Sequence, residues 1–165
     1  MGHGIALWGF MGCGKTTVGK ALARRLGWPF VDLDEVLVAT HGPIAAQFVA
    51  VGEEVFRRRE AEALAQLCDH QVRVLSVGGG TPVPEGNRLL LRASYRTVFL
   101  DASWSTLTAR VHGAQADARP LWNAAARERY DARRPAYEAA DVRVSTDALG
   151  VDTVVDRIVE ALCNE

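Results

Sequence analysis

Short apolar runs alternate along the chain with longer segments in which apolar residues recur every three or four positions. The apolar runs predict buried strands at residues 5–8, 29–33, 72–77, 97–100 and 142–144. The helical spacing predicts helices at residues 15–26, 44–51, 53–68, 103–111, 121–137 and 154–162, with a break at Gly52. Strands that alternate with helices of this length predict βαβ units, and therefore a parallel sheet covered by helices on both faces.

Composition narrows the class of protein. The 165 residues show no linker or repeat, which predicts a single domain over residues 1–165. Nineteen basic and twenty acidic residues leave a net charge of −1, so nucleic acid and anionic membranes are not expected partners. Three dispersed cysteines and the lack of a signal-like or membrane-spanning segment predict a soluble, cytoplasmic protein with reduced thiols, which we expect to be a monomer.

The strongest motif follows the first strand. Residues 9–16 read G-F-M-G-C-G-K-T and fit the phosphate-binding pattern G-x-x-x-x-G-K-S/T, with a predicted helix immediately after it. Backbone N–H groups of such a loop converge on phosphates, the lysine reaches the β/γ bridge, and the hydroxyl of the last residue can bind Mg²⁺. We therefore predict ATP-type nucleotide binding by Gly12, Cys13, Gly14, Lys15, Thr16 and Thr17. The alternative is that these glycines only form a turn.

A pair of carboxylates ends the second predicted strand. Asp32 and Asp34 are two positions apart, so in a strand they would point to the same face. One could help to hold the metal ion while the other engages a substrate hydroxyl and accepts its proton. The alternative is that one of them caps the following helix.

The segment F-R-R-R-E at 56–60 contains an arginine that differs from its neighbours. Arg57 follows Phe56 of the buried stripe and has Glu60 three positions on to brace its guanidinium, an arrangement suited to binding a carboxylate. Arg58 and Arg59 are interpreted as part of a solvated helix face.

Three further segments have compositions that suggest contact with a ligand. Gly78, Gly79 and Gly80 follow the third strand, where backbone N–H groups could approach a ligand closely, although a plain loop is also possible. Residues 111–121 are small and polar, as in a mobile lid, and include Arg119, which could neutralise a transferring phosphoryl group. Residues 133–137, R-R-P-A-Y, place arginines at the end of a helix that proline should stop.

These segments together resemble the shikimate kinase family over nearly the whole chain. The matching stretches are G-F-M-G-C-G-K-T-T-V-G at 9–19, D-L-D at 32–34, residues 44–60 with G-E-E-V-F-R-R-R-E, V-G-G-G at 77–80, R-P-L at 119–121 and R-R-P-A-Y at 133–137. The resemblance implies a three-layer αβα P-loop fold like that of nucleoside monophosphate kinases, with five parallel strands, and a kinase that phosphorylates shikimate from ATP with Mg²⁺.

The resemblance also implies roles for individual residues. Asp34 would bind the substrate hydroxyls and act as base, with Lys15 and Arg119 acting on the phosphates as catalytic groups. The carboxylate of shikimate would be bound by Arg57 and Arg133, with backbone contacts from Gly79 and Gly80. Thr16 and Asp32 would serve the magnesium ion, and Arg110 would lie against the adenine.

The sequence also leaves two other functions open. One is a P-loop kinase for another small acceptor, such as gluconate or a nucleoside monophosphate. The other is a nucleotide-dependent switch without an acceptor, although the guanine motif N-K-x-D is absent. A separate prediction concerns Cys13: Lys15 and the helix N terminus should make its thiol reactive, so that alkylation slows turnover and ATP protects.

Overall fold

The computed structural model describes residues 3–113 and 123–164 of the chain. The strands are β1 (Gly4–Trp8), β2 (Phe30–Asp32), β3 (Val74–Ser76), β4 (Tyr95–Asp101) and β5 (Val142–Ser145). The helices are α1 (Lys15–Leu26), α2 (Leu33–His41), α3 (Ile44–Leu67), α4 (Glu85–Ser94), α5 (Trp104–Gly113), α6 (Ala126–Tyr137) and α7 (Val151–Cys163).

The strands form one parallel sheet in the order β2–β3–β1–β4–β5, which confirms the predicted five-stranded parallel sheet. The central strand, β1, is buried along its whole length. The chain moves from β1 outward to β2 and afterwards in the opposite direction. Right-handed crossovers therefore place α1 on one face of the sheet and α3 and α4 on the other. Helix α7 returns to pack against α1. The result is a three-layer αβα arrangement.

The prediction that Asp32 and Asp34 share one face of a strand is wrong. Strand β2 ends at Asp32, and α2 begins at the next residue. The Asp32 carboxylate accepts a hydrogen bond of 2.9 Å from the Asp34 backbone N–H, so Asp32 is the N-cap of α2 and Asp34 lies in its first turn. The capping alternative is thus the correct one for Asp32.

Helix boundaries elsewhere agree only in part with the predictions. The predicted break at Gly52 is confirmed, because this residue has φ 76° and ψ 171° within α3. Helix α6 continues through Pro135 to Tyr137, so the proline does not stop it. Residues 111–113 of the predicted lid belong to the end of α5, and the rest of it, including Arg119, lies outside the described residues.

Within the described ranges, no single helix is long and apolar enough to cross a bilayer. The bent pair α2 and α3, whose axes meet at 89°, reaches that length and composition only when taken together.

Candidate active site at the carboxyl edge of the sheet

The loop of residues 9–16 leaves the carboxyl end of β1 and leads directly into α1. Three of its glycines have positive φ, namely Gly9 (152°), Gly12 (85°) and Gly14 (102°), values that L side chains rarely adopt. Gly14 is the N-cap of α1, so the positive end of the helix dipole lies at the loop. Such a loop is suited to bind phosphate groups.

The Lys15 ammonium group lies over its own loop. Its Nζ donates hydrogen bonds to the carbonyl oxygens of Gly9 (2.8 Å) and Phe10 (3.2 Å) and is 3.8 Å from the Cys13 Sγ. The charge is therefore held where the loop would place a phosphate chain. Cys13 is only 1% exposed, and this burial argues against the ready alkylation expected from the sequence.

Arg110 connects the phosphate loop to the segment that follows the edge strand β5. Its Nη1 donates to the carbonyl oxygens of Gly12 and Cys13, both at 3.2 Å, and its Nη2 donates to that of Thr146 at 3.0 Å. Arg110 therefore fixes the loop against the segment that joins β5 to α7.

Thr16 and Asp32 place oxygen atoms side by side at the start of α1. The Thr16 hydroxyl donates to Asp32 Oδ2 at 3.0 Å, while Asp32 Oδ1 caps α2. Hydroxyl and carboxylate oxygens are hard ligands of the kind that Mg²⁺ prefers, and this ion commonly takes only one or two ligands from the protein. No cluster of three or more His, Cys, Asp or Glu side chains suited to a metal occurs among the described residues.

Asp34 lines the cleft beside the phosphate loop and is exposed to solvent there. The pKa of its carboxyl group is raised, chiefly because surrounding protein atoms replace water, and further because Asp32 and Glu60 are negative. Lys15 and Arg57 act in the opposite direction. The carboxylate is thus held near two cations and is still more easily protonated than an ordinary aspartate.

Arg57 is held by a buried acid, which confirms the predicted brace. Its Nη1 donates to Glu60 Oε2 at 2.8 Å, and the other oxygen of Glu60, a residue 1% exposed, accepts from the Thr81 hydroxyl at 2.7 Å. The guanidinium lies directly against Gly80, since a Cβ added there would be 2.5 Å from its nitrogens.

Arg133 approaches the same glycine turn from α6. A Cβ on Gly79 would lie 3.3 Å from Arg133 Nη1 and 3.4 Å from the Tyr137 hydroxyl oxygen. The Arg133 guanidinium also lies 6.0 Å from the centre of the Phe10 ring in the phosphate loop. Arg57 and Arg133 therefore converge on neighbouring glycines, with the phosphate loop beside them.

A cavity of about 750 Å³ extends from the phosphate loop past Asp34 to Gly79. Most of the predicted residues line it: Gly12, Cys13, Gly14, Lys15, Thr16, Thr17, Asp32, Asp34, Gly79 and Arg110. Gly80, Arg57 and Arg133 are outside this lining and meet it at the glycine turn. Of the two arginines assigned to solvent, Arg58 is exposed, whereas Arg59 is half-buried and donates to the Gln47 side chain, so that part of the assignment is wrong.

Comparison with known proteins settles the family. Residues 11–163 match the family model described as shikimate kinase. The chain belongs to the shikimate kinase family. A curated shikimate kinase from Symbiobacterium thermophilum is 43% identical, with 96% of this chain and 95% of that protein covered. One from Geobacter sulfurreducens is 40% identical, with 95% of this chain and 89% of that protein covered.

Solved structures agree with this shikimate kinase assignment and confirm the predicted fold. A shikimate kinase from Acinetobacter baumannii, solved in complex with shikimate, covers 99% of this chain and 94% of its own with a TM-score of 0.91 and 30% identity. That of Aquifex aeolicus covers 97% and 96% with a TM-score of 0.83 and 33% identity. A gluconokinase from Sinorhizobium meliloti has a TM-score of 0.65 at 21% identity, a likeness in fold alone. As a member of a kinase family, this chain is an ATP-dependent phosphotransferase.

Sequence reasoning missed two residues that shape this shikimate kinase site. Thr81 supports Glu60, and Tyr137 donates a 2.6 Å hydrogen bond to the Gly79 carbonyl oxygen. Tyr137 stood within the quoted R-R-P-A-Y segment, but a tyrosine at a helix end carries no signal of its partner. Its position four residues after Arg133, on the same helix face, was the available clue.

Proposed function

We propose that this protein transfers the γ-phosphate of ATP to the 3-hydroxyl of shikimate, giving shikimate 3-phosphate and ADP in the pathway to chorismate and the aromatic amino acids. The observation that carries the proposal is the convergence of Asp34, Arg57 and Arg133 on one glycine turn beside the phosphate loop. A carboxylated polyol has groups that match each of them. No part of the reaction requires nucleic acid, a membrane or a second subunit.

ATP would bind with its phosphates in the loop of residues 9–16. Gly12, Cys13 and Gly14 line that space, Lys15 carries the positive charge, and the first turn of α1 includes Thr16 and Thr17. Arg110 would form one wall of the nucleotide pocket, and Arg119 would act on the transferring phosphoryl group. Magnesium would be held by the Thr16 hydroxyl and served by Asp32, and it supplies neutralisation of phosphate charge.

The acceptor would bind across the glycine turn. Arg57 and Arg133 would each donate hydrogen bonds to its carboxylate, and Gly79 and Gly80 would contact it through the backbone. Asp34 would accept a hydrogen bond from the reacting hydroxyl and then its proton as the oxygen attacks the γ-phosphorus. The bond from that phosphorus to the bridging oxygen breaks, and ADP leaves. The raised pKa of Asp34 suits a group that must accept a proton.

An ADP-release assay with Mg²⁺ tests this proposal directly. ADP formation should depend on shikimate. Gluconate or nucleoside monophosphates at equal concentration should give rates lower by at least about 100-fold, since neither holds a carboxylate and a hydroxyl at the fixed separation of the shikimate ring. Faster turnover with gluconate or a nucleotide would show that this compound, and not shikimate, is the acceptor. ATP hydrolysis that no small molecule stimulates would favour a nucleotide-dependent switch instead.

A further inference from the structure

The hydroxyl of Tyr137 lies at a point that no predicted role explains. Tyr137 is the last residue of α6 and is 2% exposed, and its hydroxyl donates to the Gly79 carbonyl oxygen at 2.6 Å. The guanidinium of Arg133, one helical turn earlier, lies against the same hydroxyl and the same glycine. One buried hydroxyl therefore contacts both the glycine turn and the cation.

Tyr137 is itself fixed to the sheet from two sides. The Trp8 indole Nε1 donates to the Tyr137 carbonyl oxygen at 2.9 Å, and the Phe99 ring lies 5.4 Å from the tyrosine ring, centre to centre. Trp8 is the last residue of β1 and Phe99 belongs to β4. The end of α6 is thus joined to the strand that leads into the phosphate loop.

The turn that carries Arg133 needs this external support. Pro135 lies within it and has no backbone N–H, so one hydrogen bond of the helix is missing between Asp131 and Pro135. Burial raises the pKa of Tyr137, more strongly than the nearby Arg133 and Arg57 lower it, so its hydroxyl stays protonated and remains a donor.

We propose that Tyr137 is a positioning residue that holds the Arg133 guanidinium over the Gly79 turn, in the place where it binds the acceptor's carboxylate. The inference rests on the proposed function, because it takes Arg133 as a ligand of that carboxylate. Tyr137 does not touch the acceptor in this account. It acts only through Arg133, and it should therefore affect binding of the acceptor and leave binding of ATP unchanged.

Tyr137→Phe tests the role of the hydroxyl, and Tyr95→Phe is its matched control. Tyr95 is equally buried at 2% exposure and also donates its hydroxyl to a backbone carbonyl, that of Leu67, but it lies at the amino end of β4. Tyr137→Phe should raise the acceptor KM about fivefold, the effect of one ordinary hydrogen bond, with kcat and the KM for ATP within about twofold of wild type. Tyr95→Phe should leave all three constants unchanged.

The same substitution in an Arg133→Ala background separates positioning from a general structural effect. With no guanidinium to hold, adding Tyr137→Phe should change the acceptor KM by less than about twofold. A full fivefold effect in that background would overturn the inference. So would an unchanged KM in the single variant, or a fall in melting temperature much larger than that of Tyr95→Phe.

The wild-type assay keeps this inference distinct from the proposed function. Failure of the wild-type protein to phosphorylate shikimate refutes the proposed acceptor, and the variants are then compared with the acid that the ADP-release assay does identify. If no carboxylated acceptor is phosphorylated, Arg133 has no carboxylate to bind and both proposals fail. Normal activity of the wild type with an unaltered Tyr137→Phe variant refutes the positioning role alone.

Discussion

Asp34, the proposed base, is a residue at which stability and catalysis would have opposite requirements. Its pKa is raised on folding, so its favourable contribution to stability is fully present below the pKa of the unfolded chain and is lost as pH rises through the folded-state pKa. At neutral pH the carboxylate is therefore destabilising relative to a neutral group of the same shape. A role as the proton acceptor in catalysis would explain why an aspartate occupies this position despite the loss of stability.

Asp34→Asn should accordingly lower kcat and raise the melting temperature at neutral pH. The loss of kcat should be at least about 100-fold, since a positioned general base typically contributes that much or more. Steady-state kinetics and thermal melts at pH 7 check the two effects. Glu35→Gln, an exposed neighbour in the same helical turn, should change neither by much. An Asp34→Asn protein that melts lower than wild type would contradict the account of desolvation.

The pH dependence of turnover should report the same group. As pH falls through the raised pKa of Asp34, the carboxylate is protonated and can no longer accept the hydroxyl's proton, so kcat/KM for the acceptor should fall. The acidic limb should lie at a higher pH than an ordinary aspartate would give. A profile that stays flat down to the usual range of aspartate would show that Asp34 is not the base.

Binding of the acceptor should depend on the planar shape of the Arg57 guanidinium as well as on its positive charge. Arg57→Ala should raise the acceptor KM by about 10- to 100-fold, from the loss of charged hydrogen bonds of about 1.5–3 kcal/mol. Arg57→Lys should give an acceptor KM between those of wild type and Arg57→Ala, because an ammonium group keeps the charge but lacks the planar fork of the guanidinium. The control is Arg58→Ala, whose side chain is 63% exposed and pairs with the exposed Glu54 at 3.8 Å. Equal effects of Arg57→Ala and Arg58→Ala would refute the carboxylate-binding role.

At the level of elements, the strands were predicted well and two helices were missed. The buried runs leave little choice, because each is rich in apolar residues and four of the five are followed directly by glycine or aspartate. Helix α2 was missed because it follows β2 with no intervening residue. The sequence alone did not show that Asp32 ends one element and caps the next, although Asp34 and Glu35 are typical of a first helical turn. Helix α4 likewise passes directly into β4 at Tyr95.

The glycine turn after β3 should tolerate no side chain at Gly80 if Arg57 is to stay in place. A Cβ there would lie 2.5 Å from the guanidinium nitrogens, which can move because they end a flexible side chain. Gly80→Ala should therefore keep the fold and raise the acceptor KM by about tenfold or more, as the charged contact is lost.

Gly86→Ala is the matched control for Gly80→Ala. Gly86 lies in α4 with no atom within 4 Å of its added Cβ, so alanine should leave KM unchanged and stabilise the helix by about 0.5–1 kcal/mol. Comparison of acceptor KM and melting temperature in the two variants checks the prediction. An unaltered KM in Gly80→Ala would show that Arg57 is not held by this turn.

Across the whole molecule, the two edges of the sheet have different tasks. The residues assigned to chemistry lie at the carboxyl edge, where parallel strands commonly form binding sites. At the amino edge, the buried Arg73 donates to the Leu67 carbonyl oxygen at 3.0 Å and to Asp69 at 2.9 Å, beside the Tyr95 hydroxyl. That network is also charged and largely buried, but none of its residues lines the cavity of the candidate active site.

Arg73→Ala should thus lower stability and leave catalysis intact. Loss of the charged hydrogen bonds to the Leu67 carbonyl oxygen and to Asp69 should reduce the free energy of unfolding by about 1–3 kcal/mol. Denaturant unfolding gives the stability, and both KM values should stay within about twofold of wild type. A change in acceptor KM would show that the amino edge is coupled to the site.

Those parts of the site that a single short motif forms could be predicted from the sequence. Those parts where residues distant in the chain come together could not. The phosphate loop is local, so residues 9–16 could be assigned from spacing. The approach of Arg133 to Gly79 depends on how α6 packs against the sheet, and only the family resemblance suggested it. The Thr81 support of Glu60 and the bond from Tyr137 to Gly79 join residues 21 and 58 positions apart, and no local pattern records such pairs.

Asp32 uses one carboxylate oxygen for Thr16 and the other for the start of α2. The same side chain is therefore a joint between the helix that follows the phosphate loop and the helix that carries Asp34. A one-atom change in its length, as in Asp32→Glu, would shift both attachments together. Over evolution, new acceptors could be explored by altering Arg57 or Arg133, whereas this joint would have to stay as it is.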